Sequence, residues 1–402
     1  MKELKDYSDI VGEDRIDELM SKAEKLRGKK FLTINSTSDG GGVAEMLNSM
    51  IPLLNHMGVD IEWSILKGFP DFFEITKSFH NGLQGGRMEL TDDIKRTYTE
   101  TNREFSTYNH IDHDAVVVHD PQPLPLISFY DKGQPWIWRL HIDVSDPNPQ
   151  LWDFLKDFVE RYDGMIVSKE EYMKSDLGIA QYIIRPAIDP LIEKNRPITD
   201  DVVEREFERH NIPLDRPVIA QVSRFDIWKD PKGVVDVFRK VREKESCRLV
   251  LCGSMASDDP EGWDVFKEVE EASKDLIESG DVILVVNAEE LFVNALQRKA
   301  DVIIQKSLKE GFGLTVTEAL WKGTPVVTTN VGGIPLQVQD GVSGFLLDPR
   351  DNDGFAEAII GLLRDVEKSR RMGENAHRFV KENFLITRLI SDYLDLFIEF
   401  TC

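Results

Sequence analysis

The sequence contains only three cysteines among its 402 residues, and no two of them form a CxxC pair. This scarcity excludes a disulfide framework and a cysteine-based zinc site, and it favours the reducing cytoplasm as the location. No stretch approaches the roughly 18 consecutive apolar residues of a membrane helix, and the charged start lacks the apolar core of a secretory signal. We therefore expect a cytoplasmic protein without a membrane partner.

Positive charge is also in short supply. The chain has 49 Lys+Arg against 72 Asp+Glu, which gives a net charge of −23. A surface of this kind repels nucleic-acid backbones and anionic lipid headgroups, so we expect no nucleic-acid partner. Three common catalytic motifs are missing as well: the GxxxxGK[ST] loop, the GxSxG elbow and a cysteine nucleophile. Their absence excludes the simplest forms of a P-loop NTPase, an α/β-hydrolase and a thiol enzyme.

The chain itself shows the pattern of parallel α/β sheets. Its length suggests two domains of about 200 residues. Apolar runs of strand length alternate with helix-compatible stretches in both halves, and a charged segment punctuated by prolines, near residues 188–215, predicts a linker. We predict two Rossmann-like, doubly wound parallel-sheet domains, residues 1–190 and 191–384, which face a central cleft.

The richest motif is EGFGLTVTEALWKG, which follows a predicted strand. Gly311 and Gly313 permit a tight turn before a helix, so that Glu310 lies in the loop and Glu318 on the helix. Free N–H groups at a helix start suit an anion, and two carboxylates can bind sugar hydroxyls. The pattern favours a phosphorylated sugar as the ligand. The alternative is that Glu310 only caps the helix and Glu318 is solvated.

A second motif, QVSRFDIWKDPKG, also follows a predicted strand. Arg224 and Lys229 could together neutralise a diphosphate, above all when it departs and gains charge. The alternative is that both are ordinary surface cations. Lys232 is an alternative candidate for the role of Lys229.

The first predicted strand-to-helix turn, SDGGGVAEML, contains Gly40, Gly41 and Gly42. A dinucleotide-binding fingerprint would need Gly or Ala where Glu45 stands, which counts against an NAD-dependent oxidoreductase. Three consecutive glycines still let a backbone approach phosphate or sugar closely, whereas the alternative is a merely flexible turn.

Two histidines, His119 and His141, end predicted strands and so are expected at the cleft. Each could hydrogen-bond a substrate hydroxyl, and a purely structural role fits the sequence equally well. His110 and His113 belong to HIDHD, which lacks the HExxH arrangement, so we expect no metal site there.

These motifs, together with GGIPLQVQDGVSGFLL, strongly resemble retaining glycosyltransferase family 4, which has the two-domain GT-B fold, and the resemblance covers nearly the whole chain. HDPQPLP, RLHIDVS and IRPAIDP look more specifically like the trehalose glycosyltransferring synthases, a family that makes trehalose from a nucleoside-diphosphate glucose and free glucose. The resemblance implies that a last helix, at about residues 385–402, returns to the first domain. It also implies that no cofactor is required, with Mg2+ at most stimulatory.

The same resemblance implies a set of site residues. The catalytic residues would be His141, Arg224, Lys229 and Glu310. The donor-binding residues would be Gly41, Gly42, Gly311, Phe312, Gly313, Leu314, Thr315 and Glu318. Glu310 would bind hydroxyls of the donor glucose, and Glu318 the ribose of the nucleotide. Leu336 stands where many family members have Glu, so donor contacts from that loop are not carried over.

The family retains the anomeric configuration, and the motif supplies no obvious carboxylate nucleophile, so we expect same-face attack in which the leaving phosphate takes the proton of the acceptor. The expected partners are the nucleotide sugar and glucose or trehalose, with Arg139, Asp143 and Trp152 as acceptor-site candidates. A trehalose phosphorylase, a sucrose or mannosyl transferase and a non-catalytic nucleotide-sugar sensor remain alternatives. The nucleotide base and the assembly state, including a homodimer, stay open.

Overall fold

A computed structural model of the chain divides into two compact units. The N-terminal unit comprises Met1–Ala187 together with Ile386–Cys402, and the C-terminal unit comprises Ile188–Leu385. The structure describes residues 2–38, 41–253 and 260–402. Across those ranges, no helix is long and apolar enough to cross a membrane.

The N-terminal unit is built on a parallel sheet, which has six strands in the described part of the chain. The strands are β1 (Lys30–Asn35), β2 (Asp60–Ile65), β3 (Ala115–His119), β4 (Trp136–Arg139), β5 (Gly164–Val167) and β6 (Ala180–Ile183). Their spatial order is β2-β1-β3-β4-β5-β6. Every residue of β3, β4 and β5 is buried, as expected for parallel strands covered on both faces.

Helices pack around this sheet. They are α1 (Ser8–Val11), α2 (Glu13–Glu24), α3 (Gly42–His56), α4 (Pro70–Leu83), α5 (Asp92–Ser106), α6 (Pro149–Val159) and, at the far end of the chain, α15 (Ile386–Thr401). The last of these packs on α2, α3 and β3. Its Phe397 stacks on Phe31 of β1 with the ring centroids 4.1 Å apart, so the final helix completes the core of the first unit.

The C-terminal unit repeats the design with a second parallel sheet. Its strands are β7 (Val218–Val222), β8 (Arg248–Gly253), β9 (Val282–Val286), β10 (Val302–Gln305), β11 (Val326–Thr329) and β12 (Gly344–Leu347), in the order β12-β11-β10-β7-β8-β9. Its helices are α7 (Asp200–Arg209), α8 (Pro231–Arg242), α9 (Pro260–Ala272), α10 (Lys274–Glu278), α11 (Glu290–Lys299), α12 (Leu314–Trp321), α13 (Asn352–Arg364) and α14 (Val366–Asn383). The predicted α/β class with two doubly wound parallel sheets is confirmed.

Each sheet has one point at which the strand order reverses, between β1 and β3 in the first and between β7 and β10 in the second. Connections on the two sides of such a point cover opposite faces of the sheet, so the loops at the carboxyl ends of these strands part and leave room for a ligand. The glycine turn follows β1, His119 ends β3, and the two long motifs follow β7 and β10. Both units therefore carry their motifs where the fold favours binding.

The helix that carries Glu318, α12, is held by an unusually close helix contact. Gly323 lies two residues after the end of α12 and has a φ of +76°, and an added Cβ on Gly373 of α14 would overlap the carbonyl oxygen of Gly323. The two backbones thus touch without any side chain between them. This contact fixes the position of α12 behind the β10 loop.

We expect Gly373→Ala to lower the free energy of unfolding by about 1–3 kcal/mol, because its methyl group has no space between the two backbones. Gly361→Ala is the matched control, since Gly361 lies within α13 and an added Cβ there meets nothing within 4 Å. That variant should stabilise the protein by up to about 1 kcal/mol through helix propensity. Urea unfolding of both variants checks this, and equal effects would contradict the close contact.

Candidate active site

The glycine turn of the N-terminal unit leads directly into α3. Gly41 is the residue before the helix and has a φ of +105°, a region that favours glycine, and Gly42 is the first helical residue. Among the described residues, and leaving aside its two chain neighbours, an added Cβ on Gly41 would meet nothing within 4 Å. The glycine is therefore required by the backbone conformation, and the space beside it is open to a ligand. Gly40 lies outside the described residues.

Two histidines meet at the carboxyl ends of β3 and β4. His119 is fully buried, and its Nδ1 lies 2.9 Å from Nε2 of His141, which is partly exposed. The rings are stacked with an interplanar angle of 12°. The structure thus joins two side chains that the sequence could place only at the ends of two predicted strands.

Asp120 belongs to the same group and was missed by the sequence analysis. Its carboxylate accepts the backbone N–H of His141 at 3.0 Å, and its backbone carbonyl accepts the indole N–H of Trp138 at 2.9 Å. Its φ of +62° is unusual for a residue other than glycine, although Asp and Asn tolerate it best. An Asp between a strand-ending histidine and Pro121 was the available signal.

Desolvation by the surrounding protein sets the protonation of this group. It lowers the pKa of His119 to about 3, with the positive charge of Arg139 adding to the effect. It also lowers the pKa of His141 well below its usual range, helped by Arg139 and His119. The pKa of Asp120 rises to about 6 through desolvation, against the opposing effects of the His141 N–H and Arg139. Both imidazoles are therefore neutral at pH 7.

The acceptor-site candidates all have structural partners. Arg139 is fully buried and donates to the carbonyl oxygen of Val167 at 3.1 Å. The indole N–H of Trp152 donates to Asp176 at 3.2 Å, and Asp143 accepts the backbone N–H two residues further on. Each of the three side chains therefore has a hydrogen-bond partner within the protein.

The HIDHD segment lies next to Glu62 of β2. His113 Nε2 lies 3.4 Å from a carboxylate oxygen of Glu62, which is a simple pair. Within the described ranges, no group of three or more His, Cys, Asp or Glu side chains could hold a metal ion.

In the C-terminal unit, the β7 loop (residues 223–230) and the β10 loop (residues 306–313) meet through an ion pair. Lys229 Nζ lies 2.5 Å from Glu310 Oε2, and both side chains are largely buried. The Ser307 hydroxyl donates to the same carboxylate oxygen at 3.4 Å. Arg224, on the same loop as Lys229, is 49% exposed and contacts Asp226 at 3.3 Å. The predicted catalytic cation and carboxylate are therefore side by side.

Backbone contacts hold these two loops together. The N–H of Leu308 donates to the carbonyl oxygen of Trp228 at 2.7 Å. Asp230 adopts a left-handed conformation with a φ of +47°, caps α8 by accepting the N–H of Gly233 at 3.1 Å, and pairs with the buried Lys306. The pair of Lys229 and Glu310 therefore lies on a rigid support.

The start of α12 is fixed from a third loop, which follows β11. Gly313 precedes the helix with a φ of +87°. The Gln337 side chain donates to the carbonyl oxygen of Phe312 and accepts the hydroxyl of Thr317 at 2.5 Å, so it clamps the helix start. Leu336, where the sequence departs from the family pattern, ends a short 3-10 turn just before Gln337 and is partly exposed.

Glu318 is fully buried, so the alternative of a solvated Glu318 is wrong. Lys194 Nζ lies 2.7 Å from one carboxylate oxygen, and the Gln297 side chain donates to the other at 3.2 Å. No local sequence pattern pointed to Lys194, because its contact with Glu318 of α12 joins distant segments. A ribose that bound Glu318 would have to share it with this lysine.

Comparisons with known proteins identify relatives of both units. A family model described as "Trehalose synthase, N-terminal domain" matches residues 33–174, and one described as "Glycosyl transferases group 1" matches residues 202–379. A trehalose synthase from Thermococcus litoralis is 46% identical over 99% of this chain and 97% of that protein. A trehalose synthase from Rubrobacter xylanophilus is 44% identical over 98% and 96%.

A solved structure extends the likeness to the fold. The UDP-forming α,α-trehalose-phosphate synthase from Burkholderia xenovorans, in complex with glucose-6-phosphate, matches with a TM-score of 0.73 at 14% identity, over 92% of this chain and 100% of that chain. A trehalose phosphorylase from Pleurotus pulmonarius is 29% identical over 94% of this chain but only 58% of that protein. The phosphorylase is therefore a more distant relative than the synthases.

The lowered pKa of His119 predicts a pH-dependent stability. Below about pH 6.5 the unfolded chain protonates this histidine, whereas the folded ring stays neutral down to about pH 3, so acid favours unfolding. The free energy of unfolding of the wild type, minus that of His119→Asn, should therefore fall by about 1.4 kcal/mol per pH unit between about pH 6 and pH 4. Urea unfolding at several pH values measures this difference. A difference that did not change with pH would show that the folded histidine titrates normally.

Proposed function

The chain belongs to the trehalose synthase family of GT-B glycosyltransferases, and we propose that it moves glucose from a nucleoside-diphosphate glucose to free glucose, forming α,α-trehalose. The resemblance carried by the sequence motifs is confirmed, and the protein is a glycosyltransferase that forms trehalose. The nature of the donor and the roles of individual residues are our proposal.

The observation that carries the proposal is the contact between Lys229 and Glu310 at the reversal point of the second sheet. A sugar diphosphate can replace each half of this ion pair. Its phosphate oxygens take the ammonium group, and its sugar hydroxyls donate to the carboxylate that is released. One ligand of this kind therefore satisfies both side chains without leaving a buried charge unpaired.

Arg224 supplies the second cation. It lies on the β7 loop with Lys229 and is half exposed, and its contact with Asp226 at 3.3 Å is one that a phosphate can outcompete. The helix start at Leu314 and Thr315 adds N–H groups and the positive end of the helix dipole. These groups stabilise the negative charge that grows on the departing diphosphate.

The chemical step exchanges one glycosidic bond for another. The bond between C1 of the donor glucose and the phosphate oxygen breaks, the bond between C1 and the acceptor oxygen forms on the same face, and the acceptor proton passes to the leaving phosphate. Glu310 is held by Lys229 and Ser307, so we assign it hydroxyl binding rather than nucleophilic attack. We assign contacts with the reacting sugars to His141, Gly41 and Gly42.

Two further parts of the proposal concern the metal requirement and the cellular location. Arg224 and Lys229 supply the charge that a divalent ion would otherwise supply, so we propose that the reaction requires no metal. We also keep the cytoplasm as the location, since the buried Cys247 and Cys252 are free thiols.

The direct test is an assay with UDP-, ADP- or GDP-glucose and free glucose, with and without a chelator. We expect trehalose with an α,α linkage, and we expect it to form also when EDTA is present. Release of glucose 1-phosphate from trehalose and phosphate, without any nucleotide, would instead identify a phosphorylase. Binding of the nucleotide sugar without any product would identify a sensor.

Single substitutions test the cation clamp. Arg224→Ala and Lys229→Ala should each lower kcat by about 100-fold or more, because each removes a group that stabilises the transition state. Lys232→Ala is the matched control, since Lys232 lies one turn further along the chain, is exposed and pairs with Glu268 at 3.2 Å. It should keep nearly normal turnover.

Arg224→Ala should also unfold in urea almost like the wild type, because its side chain is half exposed. Normal turnover of Arg224→Ala would contradict the proposed role of Arg224. An equal loss of turnover in Lys232→Ala would show that the effect is not specific to Arg224 and Lys229.

A further inference from the structure

His119 has no place in the proposed chemistry, yet it is fully buried against His141, which has one. The N···N distance of 2.9 Å is that of a hydrogen bond. Because both imidazoles are neutral, each carries one hydrogen, and only one of the two facing nitrogens can donate. The direction of this bond decides which nitrogen of His141 carries its hydrogen.

The far side of the His119 ring fixes that direction. Its Nε2 is buried and has no hydrogen-bond partner among the described residues. A hydrogen on Nε2 would be a buried donor without an acceptor, and His119 Nδ1 would then have to accept. A hydrogen on Nδ1 instead donates to His141 and leaves only an unused lone pair at Nε2. Buried unpaired donors are rarer than buried unpaired acceptors, so the second arrangement is favoured.

The consequence appears on the other ring. With its Nε2 accepting from His119, neutral His141 must carry its hydrogen on Nδ1. This nitrogen is not among the buried unpartnered atoms, and no hydrogen bond joins it to another described residue. Since His141 is partly exposed, the Nδ1–H is available to a ligand.

We propose that His119 is a positioning residue that fixes His141 as the Nδ1–H tautomer, so that His141 donates a hydrogen bond to a substrate hydroxyl oxygen and cannot serve as a general base. The identity of the ligand rests on the proposed function, whereas the tautomer rests on the two rings alone. Asp120 supports the arrangement by holding the backbone N–H of His141 at 3.0 Å. The charge of Arg139 opposes an imidazolium on either ring.

This assignment agrees with the route of the proton in the transfer reaction. The only lone pair on the His141 ring is occupied by His119, so this ring cannot accept the proton of the acceptor hydroxyl. That proton passes to the leaving phosphate oxygen, and His141 binds an oxygen through an N–H that is already oriented.

The tautomer can be measured without any activity assay, by long-range 1H–15N correlation NMR on the full chain labelled with 15N-histidine. The resonances of His141 are identified by their loss in His141→Asn. At pH 7 we expect a protonated Nδ1 and an unprotonated Nε2. A protonated Nε2, or an imidazolium with both nitrogens protonated, would overturn the proposal. Because no substrate is present, this result does not depend on the identity of the donor or acceptor.

Two variants of similar size distinguish a positioning role of His119 from a role in packing alone. His119→Asn keeps an N–H donor close to the place of Nδ1, whereas His119→Leu removes it. We expect His119→Leu to give a mixture of His141 tautomers and a kcat lowered roughly 10- to 100-fold with a smaller change in KM, and His119→Asn to restore most of both properties. Equal losses in the two variants would assign His119 to packing and refute the proposal.

If His119→Leu does not fold, as judged by circular dichroism, the wild type and His119→Asn decide the question through the NMR measurement. If the wild type shows the expected tautomer but makes no trehalose, the proposed function fails while the role of His119 stands.

Discussion

The ion pair between Lys229 and Glu310 is the contact on which the proposed function of the C-terminal unit depends. It exists because β7 and β10 are neighbours in a parallel sheet, so two loops that are distant in sequence leave the same edge together. Each charge compensates the other, so a largely buried carboxylate is tolerated at the place where we propose that an anionic donor binds. The pair therefore joins the two loops and, in the proposed reaction, lies where the phosphate and the sugar of the donor bind.

Much of the fold could be predicted because its signals are local. Strands such as AVVVHD and DVIIQKS are short apolar runs, and the glycines that precede α3 and α12 satisfy backbone conformations with positive φ. The positions of Glu310 in a loop and of Glu318 on a helix follow from the same local pattern. The roles of individual site residues in binding and chemistry stay predictions, as does the division at residue 190.

What could not be predicted depends on contacts between distant segments. Lys194 covers Glu318, and Gln337 clamps the start of α12, but neither residue lies in a pattern that names its partner. The contact between His119 and His141 required the pairing of β3 with β4. Asp120 was the exception, because its position after a strand and before a proline was visible. Burial also excluded one alternative, because no local pattern around Glu318 showed that this helical side chain is completely shielded from solvent.

The return of α15 to the first unit has a consequence for biosynthesis. Residues 188–385 form a continuous stretch, so the second unit can close its own core as soon as it has left the ribosome. Phe31 on β1, by contrast, is covered only after Phe397 of the last helix has been synthesised and has packed against it. The part of the protein that is translated first is thus the last to be finished, and a nascent chain that stalls before the final helix would present an uncovered apolar patch to chaperones.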